Sequence, residues 1–144
     1  MREDAVNLTA EDARNRFASA PLAYLATADE RSRPHLVATT FAAEGDRIVM
    51  AIDHKPKTTA NLRRLRNIAV NPKAAVLVDH YEDDWSALWW VRADGAAEIL
   101  EGERDCEEPI RALQAKYHQY RENRPIGPVI IVTVSRWTGW SGEA

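Results

Sequence analysis

A short segment near the middle of the chain combines the residue types that bind phosphate. Lys55 and Lys57 lie two positions apart, and Thr58 and Thr59 follow at once. In an extended segment, residues two apart project to the same side, so both ammonium groups can reach one anion. The hydroxyls stand at the start of a predicted helix, whose free amides and dipole also favour negative charge. The segment therefore predicts a phosphate site, and the alternative is a solvated loop with an ordinary threonine cap.

Five tryptophans are the second unusual feature of the sequence. Trp89 and Trp90 are adjacent on a predicted strand and so face opposite ways. One of them can enter the core, while the other is left to meet a partner subunit or a flat ligand. The alternative is one core and one surface aromatic residue. Trp137 and Trp140 lie in a C-terminal tail, 135–144, which we expect to dock across a subunit boundary.

Composition and motifs exclude several other classes of function. The net charge of −3 does not favour binding to nucleic acid, and no apolar run approaches the roughly 20 residues that span a bilayer. The acidic start lacks the apolar stretch of a signal peptide, and the single cysteine, Cys106, can form no internal disulfide, so we expect a cytoplasmic protein. The four histidines show no metal-ligand spacing, so no metal site is predicted. Walker, dinucleotide-binding and nucleophile-elbow motifs are absent.

The elements that position these residues are predicted from periodicity and turn signals. A helix capped by Thr9 ends near Pro21, a second begins at 60 and ends near Asn67, and a third covers 108–120. Strands are predicted at 22–28, 35–43, 47–52, 75–80, 86–93 with a bulge before 96–100, and 129–134. The strand 75–80 begins with the apolar run Ala75-Val76-Leu77-Val78 and is expected to be buried on both faces. The prediction is one mainly β domain, 1–144, built as a small antiparallel barrel with peripheral helices.

Several runs of the sequence resemble the flavin-binding split-barrel proteins related to pyridoxamine 5′-phosphate oxidase. The resemblance covers about residues 10 to 142 and is carried by Leu25-Ala26-Thr27-Ala28, Arg33-Pro34-His35-Leu36-Val37, Ile48 to Asp53, Lys55-x-Lys57 and Asn71-Pro72-Lys73-Ala74-Ala75-Val76-Leu77. The tail Trp137-Thr138-Gly139-Trp140 is similar to that of an actinobacterial branch of F420-dependent enzymes. The resemblance implies a homodimer of six-stranded antiparallel split β-barrels, with two cofactors bound between the subunits.

The resemblance also implies cofactor-binding positions. Lys55, Lys57 and Thr58 match the phosphate loop, with Thr59 beside them. The ring system is expected to be lined by Thr39, Thr40, Met50, Ala51, Trp89 and Trp140, the last from the other subunit. The substrate-binding Arg and His residues of the vitamin B6 oxidases have no recognisable counterpart near the C-terminus. That absence argues against a B6 oxidase.

The resemblance favours coenzyme F420 as the cofactor, with FMN as the alternative. Arg63, Arg64 and Arg66 could reach the acidic tail of F420, or they could form a solvated helix face. The predicted activity is hydride transfer between the cofactor and a small electron-poor substrate. The other hypotheses are FMN-dependent reduction with a nicotinamide donor and non-catalytic binding of F420, a flavin or a tetrapyrrole. No acid or base is assigned, and Tyr24, His35 and Tyr81 are the side chains to mutate first.

Overall fold

The computed structural model describes residues 6–52 and 62–143, which form a curled antiparallel sheet with helices packed around it. The strands are β1 (Val6–Asn7), β2 (Ala23–Ala28), β3 (Pro34–Thr39), β4 (Ala42–Glu44), β5 (Arg47–Ala51), β6 (Lys73–His80), β7 (Trp89–Leu100) and β8 (Val129–Ser141). The helices are α1 (Ala10–Ser19), α2 (Arg63–Val70), α3 (Glu103–Lys116) and α4 (His118–Glu122), and a 3-10 turn covers Trp85–Ala87. The predicted mainly β fold with peripheral helices is confirmed.

The strand order is β3-β2-β6-β7-β8-β5-β4, and every neighbouring pair is antiparallel. β1 adds to the far end of β8, where Val6 lies opposite Ser141. β7 and β8 form the longest pair and run together from Trp89 and Ser141 to Leu100 and Val129. A register shift at Asp94/Gly95 confirms the predicted bulge there. Glycine is required at residue 95, because a Cβ at this position would overlap the Thr133 carbonyl.

Two apolar clusters hold the helices on the sheet. The main cluster contains Phe17 of α1, Leu25 and Ile130, all fully buried. The second lies under α3, where Ile110 and Leu113 pack against β5 and β8. Alternate residues of β5 enter different clusters because side chains on a strand alternate between its faces.

Helix α1 has the cap that the sequence predicts. Thr9 Oγ1 accepts a hydrogen bond from the Asp12 amide at 3.1 Å, which satisfies one of the free N–H groups of the first turn. At the other end, Lys116 Nζ from α3 donates to the carbonyl oxygens of Ala18 and Ala20 at 3.3 and 2.6 Å. The C-terminal carbonyls of α1 are thus bound by a cation from a different element.

The C-terminal tail differs from its prediction. The last strand was expected to end at Val134, whereas β8 continues to Ser141 and is paired with β7 on one side and with β1 beyond Gly139 on the other. Pairing on both edges satisfies the backbone groups of the tail, which is what makes a strand stable there. The tail therefore folds against its own chain, and its contact with a partner subunit stays a prediction.

Other boundaries also move. The predicted strand 35–43 is two strands, β3 and β4. Helix α2 begins at Arg63 instead of residue 60 and continues to Val70, while the expected caps Thr58 and Thr59 lie outside the described residues. Helix α3 begins at Glu103 instead of residue 108 because acidic residues in its first turn favour a helix N-terminus. No helix within residues 6–52 and 62–143 is long and apolar enough to cross a membrane.

Candidate cofactor and ligand site

An apolar cavity of about 720 Å³ lies where β2, β3, β6 and β7 meet the loop between β6 and β7. It opens on the face of the sheet opposite the main core, which we call the outer face. Strand alternation sends Leu25, Val76 and Val91 into the core and their neighbours outward. The side chains that line the cavity are mostly apolar: Tyr24, Ala26, Leu36, Ala75, Leu77, Asp79, His80, Tyr81, Leu88, Trp89, Trp90 and Arg92.

The register aligns the cavity residues in rows across the sheet. Tyr24 lies opposite Leu77, and Leu77 lies opposite Arg92, so these three side chains project from the same face of neighbouring strands. Ala75 and Leu77 are only half-buried. The prediction that 75–80 is buried on both faces is therefore wrong for the single chain, because nothing within the described residues covers the outer face of β6.

The loop between β6 and β7 carries two aromatic side chains at one end of the cavity. Tyr81 is 64% exposed and Trp85 is 58% exposed, with Trp85 Nε1 lying 3.5 Å from the Tyr81 hydroxyl. The loop is held against the C-terminus, because the Gly142 amide donates to the Leu88 carbonyl at 2.8 Å. A Cβ at Gly142 would overlap the Trp85 carbonyl, so only glycine permits this approach.

Charged side chains are few in the cavity wall. Arg92 Nε donates to Asp94 Oδ2 at 3.0 Å, and Asp79 lies on the adjacent strand, opposite Trp90. Thr138 of β8 lies opposite Arg92, and its buried hydroxyl has no hydrogen-bond partner among the described residues. The described part of the cavity wall is thus aromatic and aliphatic, with Asp79, Arg92 and His80 as its acidic and basic groups.

His80 and Trp89 form the rim next to the loop. Their rings are stacked with centroids 5.9 Å apart, and the Arg16 guanidinium lies 5.5 Å from the centroid of Trp89. His80 Nε2 lies 3.2 Å from Glu82 Oε2. Trp89 lines the cavity and also packs against the main core, and its predicted approach to the cofactor stays a prediction.

A second polar region lies at the opposite end of β2, under helix α2. Asn67 Nδ2 donates to Thr27 Oγ1 at 3.1 Å, and both side chains are buried. His35 lies opposite Thr27, and its buried Nδ1 has no hydrogen-bond partner among the described residues. Desolvation, followed by the charges of Arg63 and Arg64, lowers the pKa of His35 below its usual value. This end of the sheet is positive and has an unsatisfied polar atom, which fits an anionic group.

The predicted phosphate residues lie next to this region in sequence. Lys55, Lys57, Thr58 and Thr59 fall in the segment 53–61, outside the described residues. That segment joins the end of β5 to Leu62, which directly precedes α2. The phosphate loop stays a prediction.

The expected ring-lining residues are spread over several places. Thr39 is the last residue of β3 and Thr40 follows it, and Thr40 Oγ1 lies 2.7 Å from the Tyr120 hydroxyl. Met50 is buried in the main cluster and Ala51 in the second. Trp140 is half-buried opposite Trp90 on the neighbouring strand. The single chain brings Trp89 to the cavity but does not gather the others around it, and their predicted role stays a prediction.

Sequence reasoning singled out Tyr24, His35 and Tyr81 without giving them a site. Tyr24 and Tyr81 line the cavity, and His35 belongs to the positive region beside α2. The residues that it missed are Leu36, Leu77 and Arg92 of the outer face. The apolar run 74–78 in β6 was the available signal for this face, since consecutive apolar residues place apolar side chains on both faces of a strand.

The comparisons with known proteins agree with this architecture. A sequence model of the pyridoxamine 5′-phosphate oxidase family matches residues 9–141. A search of curated proteins finds no match.

Solved structures with the same fold include proteins with different ligands. An FAD-binding protein from Mesorhizobium loti is 15% identical with a TM-score of 0.74, over 94% of this chain and 96% of that one. An FAD-binding protein from Mycobacterium smegmatis is 14% identical with a TM-score of 0.64, over 94% and 98%. A heme-binding protein from Mycobacterium smegmatis is 23% identical with a TM-score of 0.72, over 92% of this chain and 53% of that one. These likenesses establish the split-barrel fold.

Proposed function

Because the chain belongs to the pyridoxamine 5′-phosphate oxidase family, we propose that it binds a phosphate-bearing flavin-type cofactor and transfers hydride between that cofactor and a small electron-poor substrate. We propose coenzyme F420 as this cofactor, with FMN as the alternative. The observation that carries the proposal is the positive region beside α2. There the buried Nδ1 of His35 has no hydrogen-bond partner among the described residues, and the positive charges of Arg63 and Arg64 act on the His35 ring.

The anionic arm of the cofactor is assigned to this region and to the adjoining segment. Lys55, Lys57, Thr58 and Thr59 would supply ammonium and hydroxyl donors, and a phosphate prefers such charge-assisted bonds. The guanidinium groups of α2 favour a ligand whose negative charge extends beyond one phosphate. F420, with its acidic tail, fits this description better than FMN does.

The remaining protein groups would position the ring and keep water away. Thr39, Thr40, Met50, Ala51, Trp89 and Trp140 are the proposed ring-lining residues, from one or both subunits. The cofactor supplies the hydride chemistry when it is bound. The protein contributes an apolar wall that lowers the local dielectric constant and excludes water. Trp89, which lines the cavity, is part of this wall.

The proposed assembly is a homodimer with a cofactor site at each end of the interface. Two observations on the single chain support the homodimer. The outer face is apolar and is not covered by any of the described residues. Trp140 of β8 lies opposite Trp90, which lines the cavity on that face. A contribution of the tail 135–144 to the partner's site belongs to this proposal.

Titration of the purified protein with F420, FMN and haemin tests the choice of ligand. Quenching of tryptophan fluorescence is the readout, since aromatic residues lie in the cavity wall. Tighter binding of F420 than of FMN supports the proposal, and FMN binding that is at least as tight removes the F420 assignment. Binding of haemin alone favours a non-catalytic tetrapyrrole protein, and no binding of any of the three contradicts the whole proposal.

The variant Lys57→Ala tests the phosphate assignment directly. Loss of a charge-assisted bond should weaken cofactor binding by about 1.5 to 3 kcal/mol, which is on the order of tenfold to more than a hundredfold. Arg104→Ala on the exposed surface of α3 is the control, and its affinity should not change. An unchanged affinity for Lys57→Ala would exclude this lysine from the site.

A further inference from the structure

The corner between helices α3 and α4 contacts the chain at the end of β3. Tyr120 of α4 and Thr40, which follows β3, are 80 positions apart in the sequence, yet the Tyr120 hydroxyl lies 2.7 Å from Thr40 Oγ1. Both side chains are half-buried. Ala51 of β5 belongs to the second apolar cluster, against which Tyr120 packs. Thr40 and Ala51, two proposed ring-lining residues, are therefore linked to one tyrosine, through the hydrogen bond and through the cluster.

The position of Tyr120 is fixed by contacts that do not involve Thr40. Gln114 Nε2 of α3 donates to the Tyr120 carbonyl at 3.1 Å, and Arg121 Nη1 donates to the Gln114 carbonyl at 2.6 Å. The ring of Tyr117 packs edge-on against the Tyr120 ring, with the centroids 5.8 Å apart. A tyrosine that is held by both its backbone and its ring presents its hydroxyl at one place.

Hydrogen-bond capacity decides which of the two neighbouring threonines has a hydrogen left to donate. Thr39 Oγ1 donates to the Thr40 carbonyl at 2.9 Å, so the hydrogen of Thr39 is already used. A phenol is a stronger acid than an aliphatic alcohol, so Tyr120 is the better donor in its bond with Thr40. Thr40 then accepts from Tyr120 and keeps its own hydrogen. Because accepting one bond polarises a hydroxyl, Thr40 becomes a stronger donor to a ligand.

We propose that Tyr120 is a positioning residue for the cofactor ring, because it holds the Thr40 hydroxyl so that this group donates a hydrogen bond to a carbonyl oxygen of the ring. Flavin-type rings, those of FMN and F420 included, carry such oxygens on their pyrimidine edge. The inference deepens the proposed function and rests on it. It gives the α3–α4 corner, which contains none of the proposed cofactor-binding residues, a part in ligand binding.

A second tyrosine in the same corner has a different set of partners. Tyr117 Oη accepts from the Phe41 amide at 3.2 Å and donates to the Pro21 carbonyl at 2.8 Å. Both partners are backbone groups, so this hydroxyl joins the chain before β4 to the chain before β2. Tyr120 instead bonds a side-chain hydroxyl that keeps a hydrogen for a ligand. Tyr117 and Tyr120 therefore form a matched pair for separating stability from ligand positioning.

Substitutions at the two ends of the bond test the proposal by cofactor binding. Thr40→Val removes the proposed donor, so the Kd for F420 or FMN, measured by tryptophan quenching, should rise by about twofold to tenfold. Tyr120→Phe leaves Thr40 in place but neither oriented nor polarised, and it should raise the Kd by a smaller factor. Thr40→Ser keeps the hydroxyl and should retain the wild-type Kd. Thr133→Val makes the same chemical change at an exposed position of β8 and should have no effect.

The visible absorbance band of the bound cofactor supplies a readout that a change in stability does not move. Loss of a hydrogen bond to a ring carbonyl changes the electron distribution of the ring, so the band should shift in Thr40→Val and, to a smaller extent, in Tyr120→Phe. Tyr117→Phe should lower the urea midpoint because it loses two bonds to the backbone, and it should leave the band at its wild-type position. Circular dichroism checks that each variant is folded.

The outcomes separate the inference from the proposed function. A wild-type chain that binds neither F420 nor FMN would overturn both. Cofactor binding that Thr40→Val weakens, but that Tyr120→Phe leaves unchanged in Kd and band position, would overturn the role of Tyr120 and keep Thr40 in the site. Binding that neither variant alters would overturn the whole inference and keep the cofactor. Equal band shifts in Tyr120→Phe and Tyr117→Phe would show that the corner acts through the fold alone, which also overturns it.

Discussion

Both faces of strands β2, β6 and β7 carry large apolar side chains, but the two faces have opposite environments. Leu25, Val76 and Val91 on the inner face are fully buried by α1 and by the other strands. Tyr24 and Leu77 on the outer face, with Leu36 of the adjoining strand β3, are also large and mainly apolar, yet they remain accessible. Composition alone therefore does not decide burial. A strand that is apolar on both faces indicates that something packs on each face, and the described residues of this chain pack on only one.

The largest expected effect is a difference in unfolding free energy between a leucine on the inner face and a leucine on the outer face. Leu25→Ala should lower the free energy of unfolding by about 2 to 5 kcal/mol, because it opens a cavity in a closely packed core. Leu36→Ala, made at low protein concentration so that the monomer is measured, should change it by less than about 0.5 kcal/mol. Urea denaturation of both variants gives the comparison. Equal losses would show that the outer face is covered by the chain itself.

The second effect concerns the polar pair buried beneath α2 on the inner face. Asn67→Ala leaves the Thr27 hydroxyl buried without its donor, which should cost about 1 to 3 kcal/mol of unfolding free energy. Thr27→Val on the same background should restore part of that loss, since no polar group then remains unpaired. Thermal denaturation of the single and double variants forms the cycle, and purely additive losses would argue against a direct bond.

The smallest expected effect is a pH dependence at the edge of the inner core. Burial lowers the pKa of Lys116 from 10.5 to about 8, where its ammonium group lies 3.6 Å from the centroid of the Phe41 ring. Between these two values the unfolded chain holds the proton and the folded chain releases it, so this lysine makes stability rise with pH. Because Lys116 is only half-buried, solvent screening limits the gain to about 1 kcal/mol.

Lys116→Met isolates that contribution. Burial raises the pKa of Cys106 and of Tyr117, and these groups lower stability at high pH, so the wild-type curve alone mixes opposite trends. The difference between wild type and Lys116→Met, measured by urea denaturation from pH 7 to 10, should grow in favour of the wild type. A difference independent of pH would mean that Lys116 keeps an ordinary pKa.

The sequence predicted those elements whose signals are local. Helix α1 carries its cap at Thr9 and its apolar spacing, and β2, β5 and β6 carry continuous apolar or alternating runs, so their bounds differ from the prediction by three residues or fewer. The β7 bulge was predictable because Gly95 interrupts an otherwise regular strand. The family resemblance agrees with the family match over residues 9–141.

Features that depend on distant partners were not predictable from local signals. β8 reaches Ser141 because β7 and β1 pair with its two edges, and no local pattern reports such pairing. The start of α3 at Glu103, five residues before the predicted start, is an exception, since the acidic residues of its first turn are a local signal. The positive region of His35, Arg63 and Arg64 arises from a helix folding back over a strand. Only the tertiary structure brings these three residues together.

Gly142 gives the far end of the chain an influence on the cavity. Its missing side chain lets the backbone lie directly against the turn that carries Trp85, and its amide holds Leu88. A single added methyl group would push that turn away and move one wall of the cavity, with no change to any residue that lines it. Gly142 thus influences the width of a cavity whose lining residues all lie between Tyr24 and Arg92 in the sequence.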